Sequence, residues 1–291
     1  MAEAVTLIIE EKRRNVWSPY QIGLLLCQLY QQKRIHSFLL RIRNNWPSQA
    51  DYNRTISELI LINIIKTKGN NIFYTLKGEK LLPGEVTCSI DPFSYVSHLS
   101  AMNFHNLIKE TPGKTFLSTL TAKPWSQKAV LLMKKDLDEN YALYRESNLP
   151  ILKNIDSSNM EVPMASIYHS TKLGESKSYD YDKIRVASIS RTFLDMVRRP
   201  DLCGGIKTVL KVFKEHGLFF INPLIDEIDK FGSKIEKVRA GYILENYCNF
   251  NNEIINSWEQ YAMRGGSRKL DPLKEYAPTY SDRWQLSLNI H

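Results

Sequence analysis

The sequence predicts an α+β protein in two parts, and three observations carry that prediction. Helical patterns with clear start signals, then two β-prone runs around a turn, occupy the first 85 residues. In the remainder, strand-like runs come early and helical patterns come late. The chain's 291 residues, 43% of them hydrophobic, suffice for two domains and a sizeable core.

A short charged helical pattern lies within residues 1–17. At Ser18 a helix start is well signalled: Ser18 can cap, Pro19 suits the first helical position and Gln21 completes a capping box. Ile22, Leu25, Leu26 and Leu29 follow at helical spacing. A second helix is expected over 37–44, with Phe38, Leu39 and Ile42 inward, and Pro47 breaks the pattern after it. A third begins with Ser48 and Asp51, another capping box, and runs to Leu61. Tyr52, Ile56, Leu59 and Ile60 form its apolar face. At 100° per residue Ala50, Arg54 and Ser57 point the opposite way, with Asn53 on the flank. Two β-prone runs then flank Gly69-Asn70-Asn71, a hairpin signal, and Pro83-Gly84 marks the expected end of the unit.

Three helices followed by a two-stranded wing is the order of a winged helix-turn-helix, whose third helix enters the DNA major groove. Asn53, Arg54 and Ser57 are the expected base readers, with Ala50 allowing close approach. Arg41, Arg43, Lys66, Lys68 and Asn70 are the expected backbone contacts. Residues 1–85 hold 12 Lys and Arg against 7 Asp and Glu, so the basic excess sits with the proposed reader. Residues 90–291 form the second domain, mixed α/β with a helical C-terminal half. Its expected strands cover 114–122, 162–170, 183–187 and 282–290. Its expected helices cover the second half of 91–107, then 188–199, 206–215, 223–231, 235–247 and 253–262. Residues 126–150 are ambiguous.

One stretch, "VASISRTFLDMVRRPDLCGG" from Val186 to Gly205, carries no nucleophile, metal cluster or phosphate loop. Physically it is a strand end, a helix capped by Ser188, a stop at Pro200 and a Gly-Gly hinge. It resembles an element of AbiEi-like antitoxins, from abortive-infection type IV toxin-antitoxin systems. The resemblance is carried by Val186, Ser188, Arg191, Thr192, Leu194, Asp195, Arg199, Pro200, Gly204 and Gly205. Three further segments are similar to the same family: "PFSYVSHLSAMNFHNL", which contains His98, then "EKVRAGYILEN", and "LDP" with "DRWQLSLN". Ile189 and Ser190 replace the usual Pro and Glu, and Asn106 stands where Gly is common.

The resemblance implies a cytoplasmic, non-enzymatic antitoxin of phage defence, with a winged helix at residues 1–85 and an antitoxin domain at 90–291. It implies that the protein represses its own operon by binding inverted repeats in double-stranded DNA, as two copies, and counteracts a nucleotidyltransferase-like toxin. No cofactor is implied. The rival readings are a stand-alone winged-helix regulator without a toxin and, less favoured, a metal-dependent nuclease.

The residues themselves narrow those alternatives. The net charge of +8 suits an anionic partner. Cys27, Cys88, Cys203 and Cys248 lie far apart with no CxxC pair, which argues for buried thiols in a reducing compartment. The most apolar run, 58–65, is too short to span a bilayer, and no secretory signal opens the chain. A nuclease would need acidic residues on strands, whereas Glu227 and Asp229 in "LIDEIDKF" fall in a helical pattern and read as a solvated face. His98 and His105 are seven apart, not the i, i+4 of a helical zinc pair, so hydrogen-bonded roles are expected. "RGGSRK" (264–269) lacks the strand-to-helix setting of a phosphate loop and reads as a basic surface loop. Asp195 is expected to accept bonds from Arg191 or Arg198.

Overall fold

The computed structural model describes residues 1–12, 14–68, 73–76, 82–154, 165–179, 183–263 and 268–290. The first elements in chain order are α1 (Ala2–Glu11), β1 (Val16–Trp17), α2 (Pro19–Gln32), β2 (Arg34–Ile35) and β3 (Phe38–Leu39). There follow α3 (Gln49–Leu61), β4 (Ile65–Lys68), β5 (Phe73–Leu76), α4 (Pro83–Ile90), β6 (Tyr95–Val96), α5 (His98–Phe104) and β7 (Thr115–Leu120). Next are α6 (Ala122–Leu137), α7 (Tyr141–Glu146), β8 (Ala165–Ser170), β9 (Ser176–Tyr179) and β10 (Ile184–Ala187). The chain ends with α8 (Ile189–Arg198), α9 (Ile206–His216), α10 (Ile221–Phe231), α11 (Lys234–Tyr247), α12 (Glu253–Ser257), β11 (Tyr280–Ser281) and β12 (Leu286–Ser287). The α+β class expected from the sequence is the class observed.

Two compact units divide the chain. The first holds Met1–Tyr95, Ser118–Leu173 and Ser178–Arg185; the second holds Val96–Leu117, Gly174–Lys177 and Val186–His291. A five-stranded sheet has the order β8-β7-β6-β10-β9, and β6 pairs with β10 in parallel through Val96 and Val186.

In the first unit, α2 starts on the expected box: Gln21 N–H donates to Ser18 Oγ at 3.2 Å and Ser18 N–H to Gln21 Oε1 at 2.8 Å. It stops where Lys33 turns left-handed, at φ 51°. The helix expected over 37–44 is not there. His36, at φ 48°, turns the chain so that Ile35 pairs with Phe38 and Arg34 with Leu39. Phe38 and Leu39 consequently point outward, 67% and 83% exposed, rather than inward. The third helix forms as expected on the Ser48–Asp51 box. β4 and β5 pair antiparallel, and β1 joins β5 to give the order β1-β5-β4.

The Pro83-Gly84 pair, expected to end the first part, begins a helix. Pro83 occupies the first position of α4, whose residues from Gly84 to Ile90 are buried. Val5, Ile9, Trp17, Ile22, Leu26, Tyr52, Ile56 and Leu59 share one core with Met133, Leu137, Tyr144 and Leu149 of the α6–α7 region. The Tyr20 hydroxyl donates to Asp136 Oδ2 at 3.0 Å. Further on in this unit, Arg185 clamps the turn after α4, donating to the carbonyls of Ser94, Cys88 and Asp91 at 2.7–2.8 Å.

The second unit is built on α8–α11. Its core runs from Met102 and Phe193 through Val209, Phe213, Leu224, Ile228, Val238 and Ile243 to Trp258 and Trp284. Gly204 and Gly205 lie at φ 82° and 88°, where a side chain would be strained, and they turn the chain from Pro200 into α9. The strand expected over 282–290 shrinks to Leu286–Ser287, paired with Tyr280–Ser281, because Gln285 at φ 48° breaks the extended run. The helix expected over 253–262 is α12 plus a 3-10 turn over Trp258–Tyr261.

Candidate nucleic-acid interface

α3 places Ala50, Asn53, Arg54 and Ser57 in solvent while Tyr52, Thr55, Ile56 and Leu59 are buried. The face formed by Ala50, Asn53, Arg54 and Ser57 is short, polar and carries one cation; Ile60, expected inward, is instead exposed near the end of the helix, as is Leu61. That cation is held: Arg54 Nη2 lies 2.9 Å from Asp51 Oδ1. Partial burial of the Asp51 carboxyl pushes its pKa up. The Ser48 backbone and hydroxyl, the Tyr30 hydroxyl and the Arg54 guanidinium outweigh that, so the net shift is downward. Asp51 therefore stays ionised, closes the capping box and aims Arg54 along the helix surface.

Arg41 and Arg43 are exposed, but they stand on the extended chain after β3 rather than on a helix. The Arg43 carbonyl accepts a bond from Lys33 Nζ at 3.4 Å. Lys66 is exposed on β4; Lys68 ends the same strand. Asn70 lies outside the described residues, as do residues 264–267 of the basic 264–269 run. Of that run, Arg268 donates to the Tyr261 carbonyl and Lys269 sits over the Tyr276 ring.

The family-motif residues are of another kind. His98, Ser188, Arg191, Thr192, Asp195 and Pro200 are all buried in the second unit. Ser188 Oγ accepts the Arg191 N–H at 3.2 Å and caps α8. Arg191 Nε donates to Asp195 Oδ1 at 2.8 Å, with both side chains 5% exposed or less. Arg198 approaches the same oxygen at 4.0 Å and binds Glu236 at 2.7 Å. Arg199 and Asp201 form a two-bond pair at 2.8–2.9 Å. His98 Nδ1 and Ser97 Oγ are 2.8 Å apart, and burial pushes the imidazole pKa down. His105 Nε2 is 2.7 Å from the Ala187 carbonyl oxygen.

Glu227 is not on a solvated face. It is 6% exposed, and its Oε1 has no hydrogen-bond partner among the described residues. Burial raises its pKa; Glu175 and Asp195 add to the shift, and Arg191 and Arg198 only partly oppose it. With the folded pKa raised, Glu227 favours the fold fully at pH below its unfolded value, and the benefit is lost as pH rises through the folded value. Glu227→Gln should therefore raise the melting temperature at neutral pH, with the gain shrinking towards about pH 4. A gain that stays constant across that range, measured by thermal unfolding, would rule out titration as its source. Asp229 of the same helix is bound by Lys237 at 2.7 Å and Trp258 Nε1 at 2.9 Å. Among the described residues, no group of three His, Cys, Asp or Glu could hold a metal ion.

Sequence reasoning missed Asp91 and Arg185. Asp91 is buried and accepts from Trp125 Nε1 at 2.9 Å and from the Thr119 hydroxyl. Its partners lie 28 and 34 residues away, beyond any local pattern.

Fold and site together define a two-unit α+β protein that exposes a polar face on α3 and buries a charged motif. No protein-family model and no curated protein matches the sequence. Among solved structures, the RV2827C protein from Mycobacterium tuberculosis has this fold, at a TM-score of 0.50 and 10% identity. The match covers 98% of this chain and 90% of that one. No helix among the described residues is long and apolar enough to cross a membrane.

Proposed function

We propose that this chain is a DNA-binding regulator and antitoxin of the AbiEi-like type. Residues 1–85 act as its winged helix-turn-helix, repressing its own operon, and the protein counteracts a nucleotidyltransferase-like toxin. The observation that carries the DNA reading is the element order α1-β1-α2-β2-β3-α3-β4-β5 with β1-β5-β4 pairing. In it α3, with Ala50, Asn53, Arg54 and Ser57 outward, precedes the antiparallel β4–β5 pair, an order that supports a winged-helix reading. The antitoxin reading rests on the four family-like segments in order. The whole-chain likeness to RV2827C adds that both units occur together in one known fold.

A gel shift of the purified protein on its own upstream DNA, against scrambled DNA and at two salt concentrations, tests the DNA reading. Specific, salt-sensitive binding is expected. Arg54→Ala should weaken it by about 1–3 kcal/mol if Arg54 reads a base; unchanged promoter affinity removes Arg54 from the site. Binding to neither DNA turns the first unit into a protein-contact module. Rescue of growth when the neighbouring nucleotidyltransferase-like gene is induced separates the antitoxin from a stand-alone regulator.

A further inference from the structure

Beside the exposed face of α3 lies a cleft of about 400 Å³, bordered by Gln49, Tyr52, Asn53, Arg145, Asn148 and Lys153. Arg145 stands in the last turn of α7, and Lys153 on the extended chain that follows. Both are exposed, and neither forms an ion pair among the described residues. No carboxylate lines the cleft among the described residues. The wall opposite α3 is fixed. Tyr144 and Leu149 are buried in the same core as Tyr52, and the Tyr144 hydroxyl donates to the Pro150 carbonyl at 2.7 Å. Asn148 makes the turn between them at φ 52°.

We infer that this cleft seats the sugar–phosphate backbone of the DNA strand read by α3, with Arg145 and Lys153 as phosphate contacts. The inference rests on the reading that α3 enters the major groove. A duplex approached by Asn53 brings its backbone against the neighbouring wall. There, two cations with no ion pair among the described residues flank amide side chains, a donor set suited to phosphate oxygens. The DNA-binding surface then extends some 70 residues past the winged-helix segment, into a stretch whose pattern looks only ambiguous in the sequence.

The test is a salt titration of the full chain on its own upstream duplex and on scrambled duplex, by fluorescence anisotropy. Arg145→Ala with Lys153→Ala should flatten the slope of log K against log salt by about 1.8, at roughly 0.9 per phosphate contact. Affinity for both duplexes should fall by the same factor, since backbone contacts carry no sequence information. Arg145→Lys with Lys153→Arg should restore most of the slope, which separates lost charge from lost folding. Lys123→Ala with Lys128→Ala, two exposed cations elsewhere on α6, controls for net charge. An unchanged slope in the cleft variant, or an equal loss in the α6 variant, overturns the inference while wild-type binding keeps the α3 reading intact. A wild-type chain that binds neither duplex overturns both.

Discussion

Arg191→Ala should destabilise the protein by about 3–5 kcal/mol, the cost of leaving one partner of a buried ion pair without the other. The geometry puts this change near the top of that range. Asp195 is 1% exposed, its Oδ1 accepts from Arg191 Nε at 2.8 Å, and its Oδ2 has no hydrogen-bond partner among the described residues. Arg198 also approaches Asp195, but it stands 4.0 Å away and is bound to Glu236. Glu227 would suffer as well, because Arg191 is the largest influence holding its raised pKa down. Urea unfolding reads the loss. The companion variant, Arg191→Met with Asp195→Leu, should recover most of it, since a buried pair replaced by apolar groups of similar volume is often neutral or stabilising. If Arg191→Ala costs less than about 1 kcal/mol, the usual range for an exposed pair, then water reaches Asp195 and α8 is looser than its packing indicates.

That result bears on what a motif in a sequence means. Ser188, Arg191, Thr192 and Asp195 look as suited to binding a partner as to holding a fold, because charged and hydroxyl side chains in a helix are ordinarily solvated. Their spacing permits the Arg191–Asp195 contact, but spacing carries no information on burial. Burial comes from α5, α9, α10 and α11 closing over α8, and those contacts are long-range. The same limit explains the hairpin at 34–39. Phe38, Leu39 and Ile42 fit a helical stripe, yet left-handed residues at Lys33 and His36 redirect the chain, and neither is a glycine that would have signalled it. By contrast, α2 and α3 were legible because their start signals are local: a Ser and, three residues on, Gln21 or Asp51. The outward face of α3 followed from the 100° period alone. α6 was half legible. Trp125, Ala129, Met133 and Leu137 recur every fourth residue and are buried, but the exposed Val130 and Leu131 blur the stripe. The cleft beside α3 was not legible at all, since its two walls are some 90 residues apart.

Gly241→Ala should be the other strongly damaging change, and it can be placed by weighing two opposed effects. Alanine in a helix interior is favoured over glycine by up to about 1 kcal/mol. Against that, a Cβ at Gly241 would lie 2.2 Å from Trp284 Cη2, 2.5 Å from Cζ3 and 2.7 Å from Cζ2. Three ring carbons within 3 Å mean that the indole packs face-on against the α11 backbone. The ring has nowhere to go. It is fully buried, its Nε1 donates to Glu245 Oε2, and the Arg283 guanidinium covers it at 5.1 Å. Overpacking of this kind costs about 1–3 kcal/mol and occasionally more; here the upper end applies, so the clash outweighs the propensity gain. A double-mutant cycle identifies the cause. Trp284→Leu alone should destabilise through lost packing, but Gly241→Ala in that background should be nearly neutral or stabilising, because the propensity gain is then unopposed. Equal losses from Gly241→Ala in both backgrounds would show that the glycine is needed for something other than the indole. The expected coupling gives a physical reason for two of the family-like segments to occur together: the Gly of "EKVRAGYILEN" is the seat for the Trp of "DRWQLSLN".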